Sequence, residues 1–283
     1  MLNIKKLTLS CALLIGLGAG SAQADDCGEV SLTEMDWGSA IIVTQVAKFL
    51  LEQGYGCSVT VVPSASVRAL ASVSDTGEPD IITELWTNGA PAYVPLLEAG
   101  KINELTRVLS DGGLEGLFIP VYLAEAHPEL TTIEGVLANP DLVGNRMHNC
   151  PVGWNCQTVA TNVAKGGGFE AAGIEDFVHG SGETLTASIG AAYASKEPWF
   201  GYYWTPSLVM GKYPMVQVDL GPHDASKQAC NSDKDCANPT MQSWPSSIVT
   251  TVVTSEFEAS HPAETDLMRN LSFTNNMMNS LLA

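Results

Sequence analysis

Four tryptophans stand at comparable places along the chain: Trp37, Trp86, Trp154 and Trp204. Indole faces are electron-rich, so several of them converging make a box for a cation that cannot donate strong hydrogen bonds. Quaternary ammonium is such a cation. Each contact contributes about 2 kcal/mol when desolvated and about 0.5–1 kcal/mol when exposed, so a closed box outperforms an open one. Trp154 sits inside "CPVGWNC", between Cys150 and Cys156, with Pro151 and Gly153 tightening the turn. A bridge across that span would hold the ring rigid and remove the cost of ordering it on binding. A helix starting just after Trp154 would aim the backbone N–H groups near Asn155, Cys156 and Gln157 outward, a favourable place for an anion. A ligand with a trimethylammonium head and a carboxylate tail suits this combination.

Other side chains compete for a place in the site. Glu84 precedes Trp86 by two residues and shares its face in an extended strand. Glu125 in "YLAEAHPEL" is either a solvated helix-face residue or a carboxylate beside the ligand. In the second role it would favour choline or protonated trimethylamine N-oxide over glycine betaine, whose own carboxylate it repels. Tyr202 and Tyr203 flank Trp204 and alternate in direction; Tyr203 is taken as the member that completes the cage. Arg146 and His148 are either partners for an anionic tail or rim residues. Asp233 and Asp235 in "CNSDKDC" alternate as in calcium loops but lack the glycine and distal glutamate of that pattern, so a solvated loop is the reading and no metal is expected. Trp244, followed by Pro245, is placed outside the cage.

These residues need elements to carry them. "CGEVSLTEMDW" reads as a strand ending at Trp37, and "SAIIVTQVAKFLLEQGYG" as a helix capped by Ser39 and stopped by Gly54 and Gly56. "CSVTVVP" and "PDIITELW" read as further strands, the latter ending at Trp86. Strand–helix alternation predicts a parallel α/β sheet, whose ligands bind beyond the carboxyl ends of the strands. A second unit starts near "GLFIPVYLAEAHPEL" and holds the cysteine loop, the helix "CQTVATNVAKGG" and the aromatic run "PWFGYYWTP". "SSIVTTVVTSEF" then returns to the first unit, and one helical segment spans 263–282. The prediction is α/β, two lobes around a cleft, with 25–117 and 243–283 forming lobe 1 and 118–242 lobe 2. Clefts of this kind are common sites for small ligands.

Lys5 and Lys6, the apolar run 7–18 and the small residues Ala22-Gln23-Ala24 read as a cleavable signal peptide over 1–24, too short in its apolar part to span a bilayer. The protein is therefore expected in the periplasm. Without Lys5 and Lys6 the 13 Lys+Arg fall to 11, and against 31 Asp+Glu the formal charge goes from −18 to −20. That balance disfavours nucleic acid and anionic membranes as partners. Of the seven cysteines, Cys11 lies in the signal segment. The other six suit an oxidising compartment, and their spacing favours Cys27–Cys57, Cys150–Cys156 and Cys230–Cys236. Zinc is the competing use, without a short Cys-x-x-Cys or a histidine cluster to support it.

"ITELWTNG", "CPVGWNC" and "PWFGYYWTP", in that order along the chain, resemble the periplasmic glycine betaine/proline betaine-binding proteins of ABC importers, and the resemblance covers most of the mature chain. It implies a two-lobed, type II-like binding protein that closes on its ligand, with Trp86, Trp154 and Trp204 as cage residues. Trp37 matches an aromatic position of choline- and trimethylamine N-oxide-type receptors. It also implies a small methylated onium ligand, a membrane permease as partner, a monomeric state and no cofactor. Two features depart from the family: the chain stops at "NNMMNSLLA" where relatives continue with helix, and the Cys230–Cys236 loop is not general. Nucleophile-elbow, zinc-protease and P-loop motifs are missing, so the chain reads as a receptor and not an enzyme. Receptors for trimethylamine N-oxide, choline or carnitine are the near alternatives. An exported choline-ester hydrolase and a purely structural protein are the distant ones.

Overall fold

The computed structural model describes residues 27–283; the expected signal peptide lies outside them. The first sheet runs in the order β2-β1-β3-β10-β4. Its strands are β1 (Glu29–Glu34), β2 (Ser58–Pro63), β3 (Ile81–Trp86), β4 (Ile102–Arg107) and β10 (Val249–Thr254). Helix α1 (Gly38–Tyr55) covers it, burying Ala40, Val43, Ala47 and Leu51 at helical spacing. Each large aliphatic side chain so buried contributes roughly 1.5–3 kcal/mol.

The second sheet has the order β7-β6-β8-β5-β9. It is built from β5 (Leu114–Pro120), β6 (Arg146–Asn149), β7 (Glu175–Val178), β8 (Gly201–Thr205) and β9 (Met215–Gln217). The expected lobe boundary between Leu117 and Phe118 falls inside β5, which pairs along its length with β8 and β9 of this sheet.

Neither sheet is wholly parallel. β1 runs parallel to β2 and β3, and β6 to β7 and β8. β10 is antiparallel to β3 and β4, and β5 to β8 and β9. The reason is the crossing between lobes. β10 enters the first sheet directly from the second lobe, without the helical crossover that a parallel neighbour requires. At the crossing Gly113 and Ser247 pair as an antiparallel bridge, each N–H donating to the other's carbonyl at 2.9 and 2.8 Å.

Two element boundaries differ from the expectation. Trp37 is the N-cap residue of α1, two residues ahead of Ser39, which lies in the first turn with its hydroxyl on Glu84. The single terminal helix is two, α11 (Pro262–Asn270) and α12 (Asn275–Leu282), because Phe273 between them pairs with the backbone at Leu109. The cysteines form the disulfides Cys27–Cys57, Cys150–Cys156 and Cys230–Cys236. No helix among the described residues is long and apolar enough to cross a membrane.

Candidate functional site

Trp37 and Trp154 hold equivalent posts. Each is the extended N-cap residue of the helix that follows a strand: α1 after β1, and α6 (Asn155–Gly166) after β6. Trp86 is the last residue of β3, and Trp204 lies in β8. All four therefore sit near strand ends facing the cleft, where open α/β sheets hold ligands.

The four indoles line one cavity, together with Ser66, Asn88, Glu115, Asn155, Cys156 and Tyr202. Trp37 meets Trp154 edge-to-face across the lobes with centroids 5.0 Å apart, and Trp154 meets Trp204 in the same way at 5.3 Å. The lobes are shut by the lining groups themselves. The Trp154 indole donates to Asp36 Oδ1 at 2.7 Å, and the Asn155 amide donates to the Trp86 carbonyl at 3.2 Å. Two glycines make the rings fit. A Cβ on Gly113 would stand 2.1 Å from the Trp86 ring, and one on Gly182 would stand 2.9 Å from the Trp154 ring.

Two carboxylates are buried here. Glu84 is fully enclosed, and its Oε1 accepts from Trp37 Nε1 at 2.6 Å, Ser39 Oγ at 2.8 Å and Trp86 Nε1 at 2.9 Å. Its Oε2 has no hydrogen-bond partner. Burial pushes this carboxyl above the ordinary carboxylate range, while the bonds from Trp37, Trp86 and Ser39 pull the other way. Glu115, 2% exposed, belongs to the cavity wall itself. It accepts from the Tyr202 hydroxyl at 2.6 Å, from Asn88 Nδ2 at 3.1 Å and from Ser247 at the lobe crossing. Burial raises its pKa as well, opposed by those three bonds. Burial and the neighbouring Glu115 together hold the Tyr202 hydroxyl well above the usual tyrosine range, so it stays a donor.

Of the residues singled out from sequence, Trp37, Trp86, Trp154, Trp204, Asn155 and Cys156 come together in the cavity. Glu125 does not: it stands exposed on α4 (Val121–Ala126), away from the cavity wall. Tyr203 also turns away. Strand alternation puts Tyr202 on the cavity side with Trp204, while Tyr203 stacks behind Trp204 at 4.4 Å and bonds Thr186. Arg146 pairs with Glu175 and lies over Phe177, and His148 pairs with His179 and stacks on Trp199. Neither reaches the cavity. Glu115, Asn88 and Ser66 carried no motif that marks them; Glu115 could have been noticed only as a carboxylate two residues beyond a pair of glycines at a lobe crossing. Among the described residues, one group has metal-ligand proximity, Cys27, Cys57 and Glu264, and its two sulfurs are joined in a disulfide.

Two mixed α/β lobes closed on a cavity at their facing strand ends are the architecture of a two-lobed binding protein. The chain belongs to the OpuAC family, the substrate binding domain of the ABC-type glycine betaine transport system, whose model matches residues 28–283. These are transport proteins that serve outside the membrane, not enzymes. No curated protein sequence matches the chain. Among solved structures, an ABC-transporter choline binding protein in complex with choline is similar at TM-score 0.69 and 18% identity, covering 90% of this chain and 82% of that one. The glycine betaine/L-proline-binding protein ProX from Borrelia burgdorferi gives 0.73 and 17%, covering 90% and 85%. Lactococcal OpuAC, closed on glycine betaine, gives 0.68 and 16%, covering 90% and 88%. At such identities the likeness is one of fold.

Proposed function

We propose that the cavity captures a methylated onium cation, its head ringed by Trp37, Trp86, Trp154 and Trp204, and that the closed protein delivers it to a membrane permease. The residues at the start of the chain fit export to the periplasm by a cleaved signal. Glu115 carries the choice of ligand. It is a buried carboxylate in the wall of the cage, and no Lys, Arg or His lines the cavity among the described residues. A cationic head gains from that carboxylate, whereas a ligand's own carboxylate is repelled by it. Choline-type ligands, with a hydroxyl for a tail, therefore rank above glycine betaine, and one structural neighbour is a choline binding protein in complex with choline. The second reading keeps glycine betaine. Asn155 and Cys156 line the cavity as the first residues of α6, where helical N–H groups lack partners within the helix and attract an anion.

Titration calorimetry of choline, trimethylamine N-oxide, glycine betaine, carnitine and a sugar separates these readings. Choline is expected to bind at least about tenfold tighter than glycine betaine. Glu115→Gln should narrow that gap by weakening choline alone. A sugar that outperforms every onium compound refutes the site, and glycine betaine as the tightest ligand in the wild type refutes the role given to Glu115.

A further inference from the structure

The wall of the cage hides an arrangement on the far edges of its rings. Trp37 and Trp86 both donate their indole N–H to one oxygen of Glu84, and Trp154 donates its own to Asp36. Three of the four cage indoles thus end on a carboxylate. An indole is negative on its face and positive at its edge. A carboxylate on the N–H offsets the positive edge, and its field adds to that of the face turned toward the ligand. In a dry interior such a field is screened far less than in water.

Glu84 also lacks a counter-charge. It has no ion-pair partner among the described residues, its second oxygen is bare, and it is fully buried. A buried carboxylate is costly unless an opposite charge comes near. The cavity on the other side of the two rings is the place where an onium head would supply that charge. Glu84 does not line the cavity. Its action on the ligand passes through Trp37 and Trp86, unlike that of Glu115, which belongs to the wall.

We propose that Glu84, assisted by Asp36, is a positioning residue that makes the cage charge-selective: it fixes the indole edges and supplies negative field at their faces, so that a cation is preferred over a neutral molecule of the same shape. This rests on the onium-cage reading above. It goes beyond that reading by assigning the selection of charge to carboxylates that the ligand does not touch.

The test compares choline with 3,3-dimethylbutan-1-ol, in which carbon replaces the charged nitrogen, in wild-type, Glu84→Gln, Glu84→Ala and Asp36→Asn proteins at pH 8. Affinities come from competition calorimetry, with circular dichroism and melting curves as folding controls. Glutamine keeps an acceptor oxygen for both indoles and puts its nitrogen where the bare oxygen stands. In Glu84→Gln, choline binding should fall at least about tenfold with the neutral alcohol nearly unchanged. Glu84→Ala should weaken both ligands, because the rings lose their anchor. Asp36→Asn should shift the ratio in the same direction but less, since Asp36 is exposed and its charge is screened by solvent.

A choline-to-alcohol ratio unchanged in folded Glu84→Gln overturns the proposal. Should that variant not fold, Asp36→Asn decides, and an unchanged ratio there overturns it equally. Wild-type protein that binds neither choline nor any other onium compound removes the cage reading itself; wild-type protein that binds choline while the variants keep its ratio removes only the role of the two carboxylates.

Discussion

The bridges Cys150–Cys156 and Cys230–Cys236 span the same six positions of sequence and lie in the same lobe. The first has both cysteines buried and carries Trp154 into the cavity wall. The second carries Asp233, Lys234 and Asp235, all exposed. Both loops meet helix α6 all the same. Cys156 lies in its first turn, and the carbonyls of Asn231 and Asp233 accept from the side chain of Asn162 further along it. One loop therefore fixes the ring that precedes the helix, and the other braces the body of the helix. A covalent restraint has no function of its own; what the restrained segment carries decides whether it serves recognition or support.

The strongest way to break this contrast is to remove what the first loop holds. Trp154→Ala, and Trp204→Ala beside it, should each weaken onium binding by about a hundredfold or more, since each removes a desolvated cation–π contact of about 2 kcal/mol together with ring contact. Trp244→Ala should do the reverse. Its ring is buried against Tyr202 outside the cavity lining, so the change costs stability, about 3–5 kcal/mol, more than affinity. Calorimetry with melting curves checks all three, and normal binding by Trp154→Ala with lost binding by Trp244→Ala would reverse the assignment.

Opening each bridge in turn sharpens the contrast. By the loop-length relation each short bridge restrains the unfolded chain by only about 2 kcal/mol, so the two double serine variants should lose similar stability. Their affinities should part: about tenfold weaker for Cys150→Ser/Cys156→Ser, where a loosened Trp154 must be ordered on binding, and within about twofold of wild type for Cys230→Ser/Cys236→Ser. Equal affinity losses would mean that both bridges act through the general stability of the lobe.

The smallest effect is one of pH. His148 lies in β6, two residues before the first bridge, and pairs with His179 at 2.9 Å. Burial, helped by His179 and Arg146, lowers its pKa to about 3, and burial lowers that of His179. Groups held neutral in this way lend stability that is complete above the unfolded histidine value of about 6.5 and is lost as pH falls through it toward the folded value. Glu84 and Glu115 act in the opposite sense, because a raised carboxyl pKa favours the folded state as pH falls. Melting temperature should therefore decline only modestly from pH 7 to pH 4, and His148→Gln should flatten the decline. An unaltered slope in that variant would show that the pair does not control it.

The tryptophans were legible in the sequence because their chemistry is rare and their posts, at strand ends and inside a tight cysteine loop, are local. The cysteine spacing was legible for the same reason. Glu115 was not. In "GGLEGLF" it looks like any loop carboxylate, and only the pairing of Gly113 with Ser247, residues far apart in the chain, brings it to the cage. Glu125 had two readings, a solvated helix face or a place beside the ligand, because sequence alone does not show which way a short helix faces; the structure leaves it exposed. Tyr203 over Tyr202 was a choice of strand register, which one residue reverses. The antiparallel return of β10 was hidden too, since it follows from the chain crossing between lobes and not from any pattern within the strand.

The edge-to-face succession of Trp37, Trp154 and Trp204, at 5.0 and 5.3 Å, has an optical consequence. Indoles this close couple their electronic transitions, so the three rings, drawn from both lobes, are expected to give a joint near-ultraviolet circular-dichroism signal. A cation seated among them shifts the shared transition, and separation of the lobes removes Trp37 from the Trp154–Trp204 pair, which stays together in the second lobe. Occupancy and closure are thus written into the near-ultraviolet spectrum of the unlabelled protein, as two signals that need not change together.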